Sequence, residues 1–193
     1  MAMQSDLELM LRIREGDAAS FETLLLRYRG PLVSFLHRMV RDQALAEDLA
    51  QEVFLRVYKA RDRYHPEARF TTWLYRIATN LALNAIRDRK DKVSEPAGGE
   101  PDGEPAFEKF VDPQPTVEQR LIKRDRERMI RQAVESLPEN QRVAVILHKY
   151  QDVDYRQIAG VLSVSESAVK SLLFRAYETL RLRLAPLLRE GQI

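Results

Sequence analysis

The chain has 193 residues, of which 45% are hydrophobic and 31% charged, with a formal net charge of +2; this composition excludes both a disordered chain and a membrane-embedded one. It contains no cysteine, which excludes disulfides, thiolate catalysis and cysteine-ligated zinc. No apolar run approaches the roughly 18 to 20 residues of a bilayer span, and the first residues lack the basic-then-apolar order of a secretion signal, so we expect a cytoplasmic protein without membrane insertion.

The charge is distributed unevenly, and the middle of the chain is acidic. Residues 1–92 and 117–193 carry net charges of +3 and +4, whereas residues 93–116 carry −5. This middle segment is rich in proline and glycine, and it holds too few apolar residues to offset the entropy lost on ordering. Helical apolar spacing fills both flanks, so we predict an all-α fold with two small helical domains, 1–92 and 117–193, joined by a flexible acidic linker over 93–116.

The spacing of apolar residues also predicts the individual helices. In the N-terminal domain it predicts helices near 5–15, 18–28, 31–40, 43–62 and 71–90. In the C-terminal domain it predicts helices near 117–135, 139–150, 154–163 and 165–184. Glycine and proline supply the main breaks, at Gly16, Gly30-Pro31, His65-Pro66 and Leu137-Pro138.

The predicted helix 43–62 has an acidic outward face. Its inward apolar row comprises Leu45, Leu49, Val53 and Val57, and its outward row comprises Asp48, Gln51, Glu52 and Leu55. Phosphate repels such a row, so in an otherwise basic domain it favours a protein partner with a basic surface. The alternative is a solvated acidic face, which is the commoner explanation for a row of this kind in isolation.

The sequence carries no pattern typical of a catalytic or metal site. The ferritin-like carboxylate site needs Glu-x-x-His, which His37, His65 and His148 do not provide. Neither a phosphate-binding glycine loop, nor a catalytic triad, nor a metal-ligand spacing occurs. We therefore predict that the protein is not an enzyme and that it uses no cofactor and no metal.

A polar stripe that includes the single tryptophan lies on the predicted helix 71–90. Its members follow at steps of three, four, four and three residues, which places them on one face: Trp73, Arg76, Asn80, Asn84 and Arg87. An indole, two amides and two guanidiniums suit base stacking, base-edge hydrogen bonds and phosphate contacts on separated strands. The preceding loop, 65–73, has the size and the aromatic residues to hold a flipped base. The alternative is a core tryptophan beside a solvated face.

The stretch from Ile158 to Leu173 predicts two short helices with a tight corner. Asp154 and Ser165 are placed to cap them, with Gln157 in a capping-box-like position. One apolar set joins the two helices: Ile158, Ala159, Leu162, Val164, Val169 and Leu172. This arrangement is typical of a helix-turn-helix, whose second helix enters a DNA major groove. The alternative is an ordinary helical hairpin with a solvated face.

The outward residues of the second helix would read that groove. They are Ser165, Ser167, Lys170, Ser171, Phe174 and Arg175. Lysine and serine can reach phosphates or base edges, and phenylalanine can contact a thymine methyl group.

The chain also resembles a known family. The resemblance rests on three segments in a fixed order: AEDLAQEVFLRVYKA, then FTTWLYRIATNLALNAIRDR, then, after the acidic linker, LPENQRVAVILHKYQDVDYRQIAGVLSVSESAVKSLLFRA. This order is similar to that of the small, two-domain extracytoplasmic-function (ECF) group of bacterial sigma-70 factors. The resemblance implies a subunit that binds core RNA polymerase and directs promoter recognition, DNA melting and transcription initiation, for a stress or envelope regulon.

The resemblance also implies roles for particular residues. Residues 1–92 would be sigma region 2 and residues 117–193 sigma region 4. The coiled coil of the β′ subunit would contact a polymerase set of Asp48, Gln51, Glu52, Phe54 and Leu55. The minus-ten element would be melted and read by a minus-ten set of Phe70, Thr72, Trp73, Arg76, Asn80, Asn84 and Arg87. The helix-turn-helix would read the minus-thirty-five element through a minus-thirty-five set of Ser165, Ser167, Lys170, Ser171, Phe174 and Arg175. Its domain would dock on the β flap. An anti-sigma factor is a further implied partner.

Two positions depart from the family pattern, and two other classes of protein stay open. Many members have arginine where this chain has Leu172 and Tyr177, so we expect fewer contacts to minus-thirty-five DNA, or a tyrosine hydroxyl in place of one. A DNA-binding regulator with a ligand-sensing N-terminal domain predicts an apolar pocket there. An adaptor that uses only the acidic helix predicts no DNA contact.

Overall fold

The computed structural model describes residues 4–64, 69–92 and 117–189. Within them lie α1 Asp6–Arg14, α2 Ala18–Val40, α3 Gln43–Lys59, α4 Phe70–Lys92, α5 Val117–Glu135, α6 Glu139–Tyr150, α7 Tyr155–Leu162, α8 Glu166–Arg183 and α9 Ala185–Arg189, with a 3-10 turn at Arg61–Arg63. These residues form no strand. The predicted all-α fold with two helical domains is confirmed, and the predicted linker over 93–116 lies outside the described residues.

The predicted break at Gly30-Pro31 is wrong, because α2 runs through it as one helix. Pro31 has no backbone N–H, so the carbonyl of Arg27 loses its helical partner. Both residues of the glycine-proline pair are exposed, and water can therefore reach that carbonyl. Beyond this point Leu32 and Phe35 are fully buried. The continuous apolar face thus keeps both halves in one helix.

The helices α1 to α4 form the N-terminal domain around one apolar core. Their starts are specified locally: Ser5 and Glu8 make a complete capping box, and Asp17 and Asp42 cap α2 and α3. At the centre, the ring of Phe35 packs edge-on against the ring of Tyr75, with 5.2 Å between centroids. Burying an aromatic side chain of this size stabilises the fold by roughly 1.5–3 kcal/mol.

The helices α6, α7 and α8 form the compact part of the C-terminal domain, and α7 and α8 make the predicted helix-turn-helix. Asp154 accepts a hydrogen bond from the Gln157 backbone N–H at 2.8 Å, and Ser165 accepts one from the Ala168 N–H at 3.2 Å. Both predicted caps are therefore present. Ser163 ends α7 with a φ of 56°, a left-handed conformation that costs a non-glycine residue about 1–2 kcal/mol.

The two domains pack against each other along a surface that we call the seam, where α2 and α4 meet α5, α6 and α7. The hydroxyl of Tyr75 donates a 2.7 Å hydrogen bond to Oε1 of Gln151. Three ion pairs also cross the seam: Arg41–Glu135 at 2.8 Å, Arg69–Asp154 at 3.4 Å and Arg87–Glu139 at 3.0 Å. The seam places α7, the first helix of the helix-turn-helix, directly on the start of α4.

Candidate functional site

The polymerase set lies on α3, where the outward and inward residues separate as the spacing predicts. Asp48, Gln51 and Leu55 are exposed, and Leu55 keeps 52% of its surface accessible although it is apolar. The Glu52 carboxylate forms an ion pair with Arg56 at 2.7 Å, one turn further on. Phe54 is the exception in this set, because it is 6% exposed and points into the domain.

An apolar groove runs beside this row, between α2 and α3. It has a volume of about 600 Å³, and its apolar walls come from Phe21, Leu25, Val33, Ala50, Phe54 and Tyr58. The Phe21 ring contacts Phe54 edge-on, with centroids 6.4 Å apart, and lies 5.1 Å from the Tyr58 ring. The polar residues that line this groove are Arg29, Glu47 and Gln51, and its apolar walls suit the apolar face of a partner helix.

The minus-ten set begins in an aromatic cluster at the start of α4. The ring of Trp73 is half-buried and lies 5.4 Å from Tyr64 and 6.3 Å from Phe70. Phe70 is only 2% exposed and also contacts Tyr28, at 5.3 Å. Burial raises the pKa of the Tyr64 phenol, so this ring stays neutral. The cluster packs against the tryptophan ring, which is only partly buried.

The rest of the stripe continues along α4 on an exposed face. Arg76, Asn80, Asn84 and Arg87 are all exposed, so two amides and the guanidinium of Arg76 are available in one line beyond Trp73, whereas the Arg87 guanidinium is paired with Glu139 at 3.0 Å. The predicted base-holding loop falls partly on residues 65–68, which lie outside the described residues. Beside its two ends is a cavity of about 700 Å³ that reaches from Tyr64, Arg69 and Phe70 to the seam.

The minus-thirty-five set lies on the start and outward face of α8. All six of its residues are exposed, and Phe174 keeps 69% of its surface accessible. The Ser171 hydroxyl donates to the Ser167 carbonyl at 3.1 Å, and the Ser165 and Ser167 hydroxyls lie 2.9 Å apart. Lys170 lies on the same exposed face. This helix therefore presents short polar groups, an exposed aromatic ring and two cations, Lys170 and Arg175, on a surface that the seam leaves uncovered.

The two departures from the family pattern have different environments. Leu172 is half-buried and packs against the core, so it is turned away from the exposed face of α8. The Tyr177 hydroxyl lies 3.1 Å from Nδ1 of His148 on α6, and burial raises the pKa of this phenol. The tyrosine hydroxyl is thus engaged within the domain.

The seam covers part of the minus-ten set, which the sequence did not predict. Gln157 donates from Nε2 to Oγ1 of Thr71 at 3.2 Å, so its side chain reaches across the seam. A Cβ atom added at Gly160 would lie 2.7 Å from Cγ2 of Thr72. The helices α7 and α4 therefore approach so closely here that any residue larger than glycine would require a shift. Among the predicted residues, Thr72 is half-buried at the seam and Arg87 is paired across it.

Comparison with known families divides the chain in the same way as the structure. Residues 24–92 match the family model for Sigma-70 region 2, which covers most of α2 to α4. Residues 127–180 match the model for Sigma-70, region 4, which covers the helix-turn-helix. Among the described residues, no helix is long and apolar enough to cross a membrane.

Similar proteins cover nearly the whole chain. The RNA polymerase sigma-H factor of Pseudomonas aeruginosa is 32% identical over 99% of this chain and 100% of its own. The RNA polymerase sigma factor CarQ of Myxococcus xanthus is 36% identical over 89% and 93% of the two chains, and the ECF RNA polymerase sigma-E factor of Escherichia coli K12 is 30% identical over 96% and 97%.

Two solved structures share the fold. One is CnrH in complex with the cytosolic domain of CnrY, with a TM-score of 0.68, 18% identity and coverage of 95% of this chain and 99% of that one. The other is the sigma factor RpoE in complex with the anti-sigma factor NepR from Bartonella quintana, with a TM-score of 0.62, 22% identity and coverage of 86% and 96%.

Proposed function

This chain belongs to the sigma-70 family of RNA polymerase sigma factors, in its ECF group, and we propose that it binds core RNA polymerase and directs promoter recognition, DNA melting and transcription initiation. The proposal includes no chemical reaction, because the reaction belongs to the polymerase. Because its proposed partner is the polymerase, the protein is assigned to the cytoplasm, where the polymerase acts. A stress or envelope regulon fits the ECF relatives.

The face of α3 is assigned to the polymerase. Its acidic residues suit a basic surface, and the neighbouring groove offers apolar area of the kind that a partner helix buries. In this assignment Asp48, Gln51, Glu52 and Leu55 contact the β′ coiled coil. Phe54 acts from behind, as the groove wall that positions the exposed residues.

The start and exposed face of α4 are assigned to the minus-ten element. Trp73 is held by its aromatic neighbours and is only partly buried, which suits a stacking surface for an unpaired base. Asn80 and Asn84 carry both donors and acceptors for base edges, and Arg76 and Arg87 suit phosphates. Phe70 is assigned a positioning role beneath the tryptophan because it is buried.

The outward face of α8 is assigned to duplex DNA at the minus-thirty-five element. Lys170 and Arg175 supply phosphate contacts, while Ser171 and Phe174 face the base edges. The remaining surface of the C-terminal domain is assigned to the β flap. We assign residues 1–92 to region 2, 93–116 to the linker and 117–193 to region 4, consistent with family matches that fall inside the two outer ranges.

An anti-sigma factor is proposed as the regulatory partner. The groove between α2 and α3 is open and apolar, and an inhibitor that fills it competes directly with the polymerase for α3. The structures of CnrH and of RpoE named above were each determined with a bound protein partner.

The observation that carries the proposal is the placement of two different surfaces on one domain. The acidic row of α3 repels DNA, whereas the stripe of α4 suits it, and a plain DNA-binding regulator has no use for the first. The test is run-off transcription by core polymerase, with and without this protein, on a promoter library. We expect new start sites only with the protein. Failure of core polymerase to bind the protein and to initiate at any new site contradicts the proposal.

A further inference from the structure

We propose that the seam contains a binding site for a small phosphate-type anion, formed by Arg38 and Arg41 of the N-terminal domain and Arg131 of the C-terminal domain. These three arginines line a cavity of about 170 Å³ between α2 and the pair α5 and α6. This volume is large enough for several water molecules or for one small polyatomic anion. The inference goes beyond the proposed function, which assigns nothing to this cavity.

The arginine donors at this site are under-used by the protein. The Nε atoms of Arg38, Arg41 and the neighbouring Arg142 are buried and have no hydrogen-bond partner among the described residues. Arg41 Nε does lie 2.8 Å from a Glu135 oxygen, so it forms an ion pair there, but in a geometry that does not satisfy the N–H as a hydrogen bond. Buried polar groups in folded proteins are nearly always satisfied. An anion with several oxygen atoms can accept hydrogen bonds from these arginine N–H groups.

The charges around the cavity leave an excess of cations. Two carboxylates face the arginines: Glu135 pairs with Arg41 at 2.8 Å, and Glu127 lines the cavity and is shared with Lys123 at 3.9 Å. Burial is the main cause that lowers the pKa of Arg41; Glu135 opposes this shift, and the nearby Arg131, Arg38 and Arg142 add to it. Arginines in mutual repulsion gain from a multivalent anion between them.

The remaining walls favour a small ligand over DNA. Ile130, Val134 and Ile146 make an apolar floor, and the guanidinium of Arg38 lies 4.0 Å above the ring of Tyr150. This stacking orients the guanidinium while leaving its edge for hydrogen bonds. A cavity of this volume between two domains is too small for a DNA duplex, so the proposed ligand is a small molecule.

The ligand would act on the arrangement of the domains, because the arginines come from both. An anion that binds only when the arginines meet stabilises the packed arrangement by mass action.

The chain has no cysteine, so one dye pair can be attached through Glu22→Cys and Glu178→Cys, one exposed position in each domain. With inorganic pyrophosphate as the probe and ionic strength held constant with NaCl, we expect the energy transfer to rise to saturation.

The test is calorimetric titration of the full chain with pyrophosphate. We expect a dissociation constant below about 1 mM, weakened about tenfold by Arg131→Gln and less by Arg131→Lys, which keeps the charge without the planar fork. Arg183→Gln, an exposed arginine at the end of α8, is the matched control and should bind as wild type. Glu127→Gln should bind more tightly, a change of sign that a folding defect does not produce.

Three results would overturn the site. They are binding weaker than about 1 mM, equal affinities for Arg131→Gln and Arg183→Gln, or displacement of pyrophosphate by a short DNA duplex in an Arg131-dependent manner, which would make the arginines a DNA surface. None of these results bears on run-off transcription, so failure of the site and failure of the proposed function are distinguishable.

Discussion

The hydroxyl of Tyr75, on α4, donates a 2.7 Å hydrogen bond to the side-chain oxygen of Gln151, at the end of α6. Tyr75 is 4% exposed, and its ring also packs against Phe35 in the core of the N-terminal domain. One side chain therefore belongs to the core of one domain and ties that domain to the other. Because Thr71 and Thr72 lie one turn earlier on the same helix, this bond also holds the beginning of α4 against α7.

Tyr75→Phe should loosen the seam without unfolding the N-terminal domain. The ring and its packing remain, and the lost hydrogen bond contributes about 1 kcal/mol, a factor of about five in the ratio of packed to separated domains. Small-angle scattering should report a larger radius of gyration, with Tyr58→Phe on the exposed end of α3 as the control. An unchanged radius together with an unchanged melting temperature would mean that the bond does not hold the domains together.

The same tyrosine predicts how the seam responds to pH. Burial raises the pKa of Tyr75 well above its ordinary value, so the neutral, donating phenol is favoured in the folded protein. A raised pKa gives stability that is fully present below the unfolded value of about 10 and is lost as pH rises toward the folded value. Scattering between about pH 7 and pH 9 should therefore show no opening by this group, and Tyr75→Phe should remove part of any opening seen above pH 10.

Gly160→Ala should separate the domains by a steric route. The new methyl group would lie 2.7 Å from Cγ2 of Thr72, while alanine favours helix α7 by about 1 kcal/mol over glycine. The helix-turn-helix should thus stay folded by circular dichroism while the radius of gyration rises.

The rescue of this variant is specific. Thr72→Ser deletes the opposing methyl group, so the double variant Thr72→Ser with Gly160→Ala should return toward the wild-type radius, and the coupling can be read from the double-mutant cycle. Additive effects of the two substitutions would contradict the contact.

Glu52→Arg should weaken the binding of core polymerase by about tenfold or more, because it reverses a charge in the middle of the acidic row on α3 and removes the partner of Arg56. The control is Glu15→Arg, an exposed acidic residue at the end of α1. Fluorescence anisotropy of a labelled chain against core polymerase gives both affinities. Equal binding by the two variants would remove α3 from the polymerase interface.

Asn80→Ala should impair recognition of separated minus-ten strands by the assembled holoenzyme. Asn80 is exposed, so the substitution leaves the core intact, and one lost hydrogen bond to a base edge costs about 1 kcal/mol, or about fivefold in affinity. Asn140→Ala, an exposed asparagine on α6, is the matched control. Binding of a single-stranded minus-ten oligonucleotide that is equal for both variants would place the contact elsewhere on α4.

Periodicity and caps predicted most of the fold, and their failures have physical causes. The pair Gly30-Pro31 has the composition of a break, yet α2 continues because its apolar face is buried on both sides and its lost hydrogen bond faces water. Gln157 has the position of a capping-box partner, but its amide bonds to Thr71 of the other domain. Local patterns predict which atoms are available and cannot predict which distant partner competes for them.

The candidate surfaces were predictable to the same extent. The outward residues of α3, α4 and α8 follow from helical spacing, whereas the burial of Phe54 and Phe70 depends on rings contributed by other helices. The seam could not be predicted from the sequence, because its members, such as Arg41 and Glu135, are far apart along the chain. Each of them is typical of a solvated surface when considered alone.

The contact at Gly160 limits the distance over which the protein can act. A compact chain of this length is about 40 Å across, whereas the two promoter elements, about 25 base pairs apart, are separated by about 85 Å of duplex. While α7 is packed against α4, the chain is too short to reach both promoter elements at once. Since the outward residues of both α4 and α8 are exposed, the packed protein can engage one element at a time, and both together only after the two domains have separated on the polymerase.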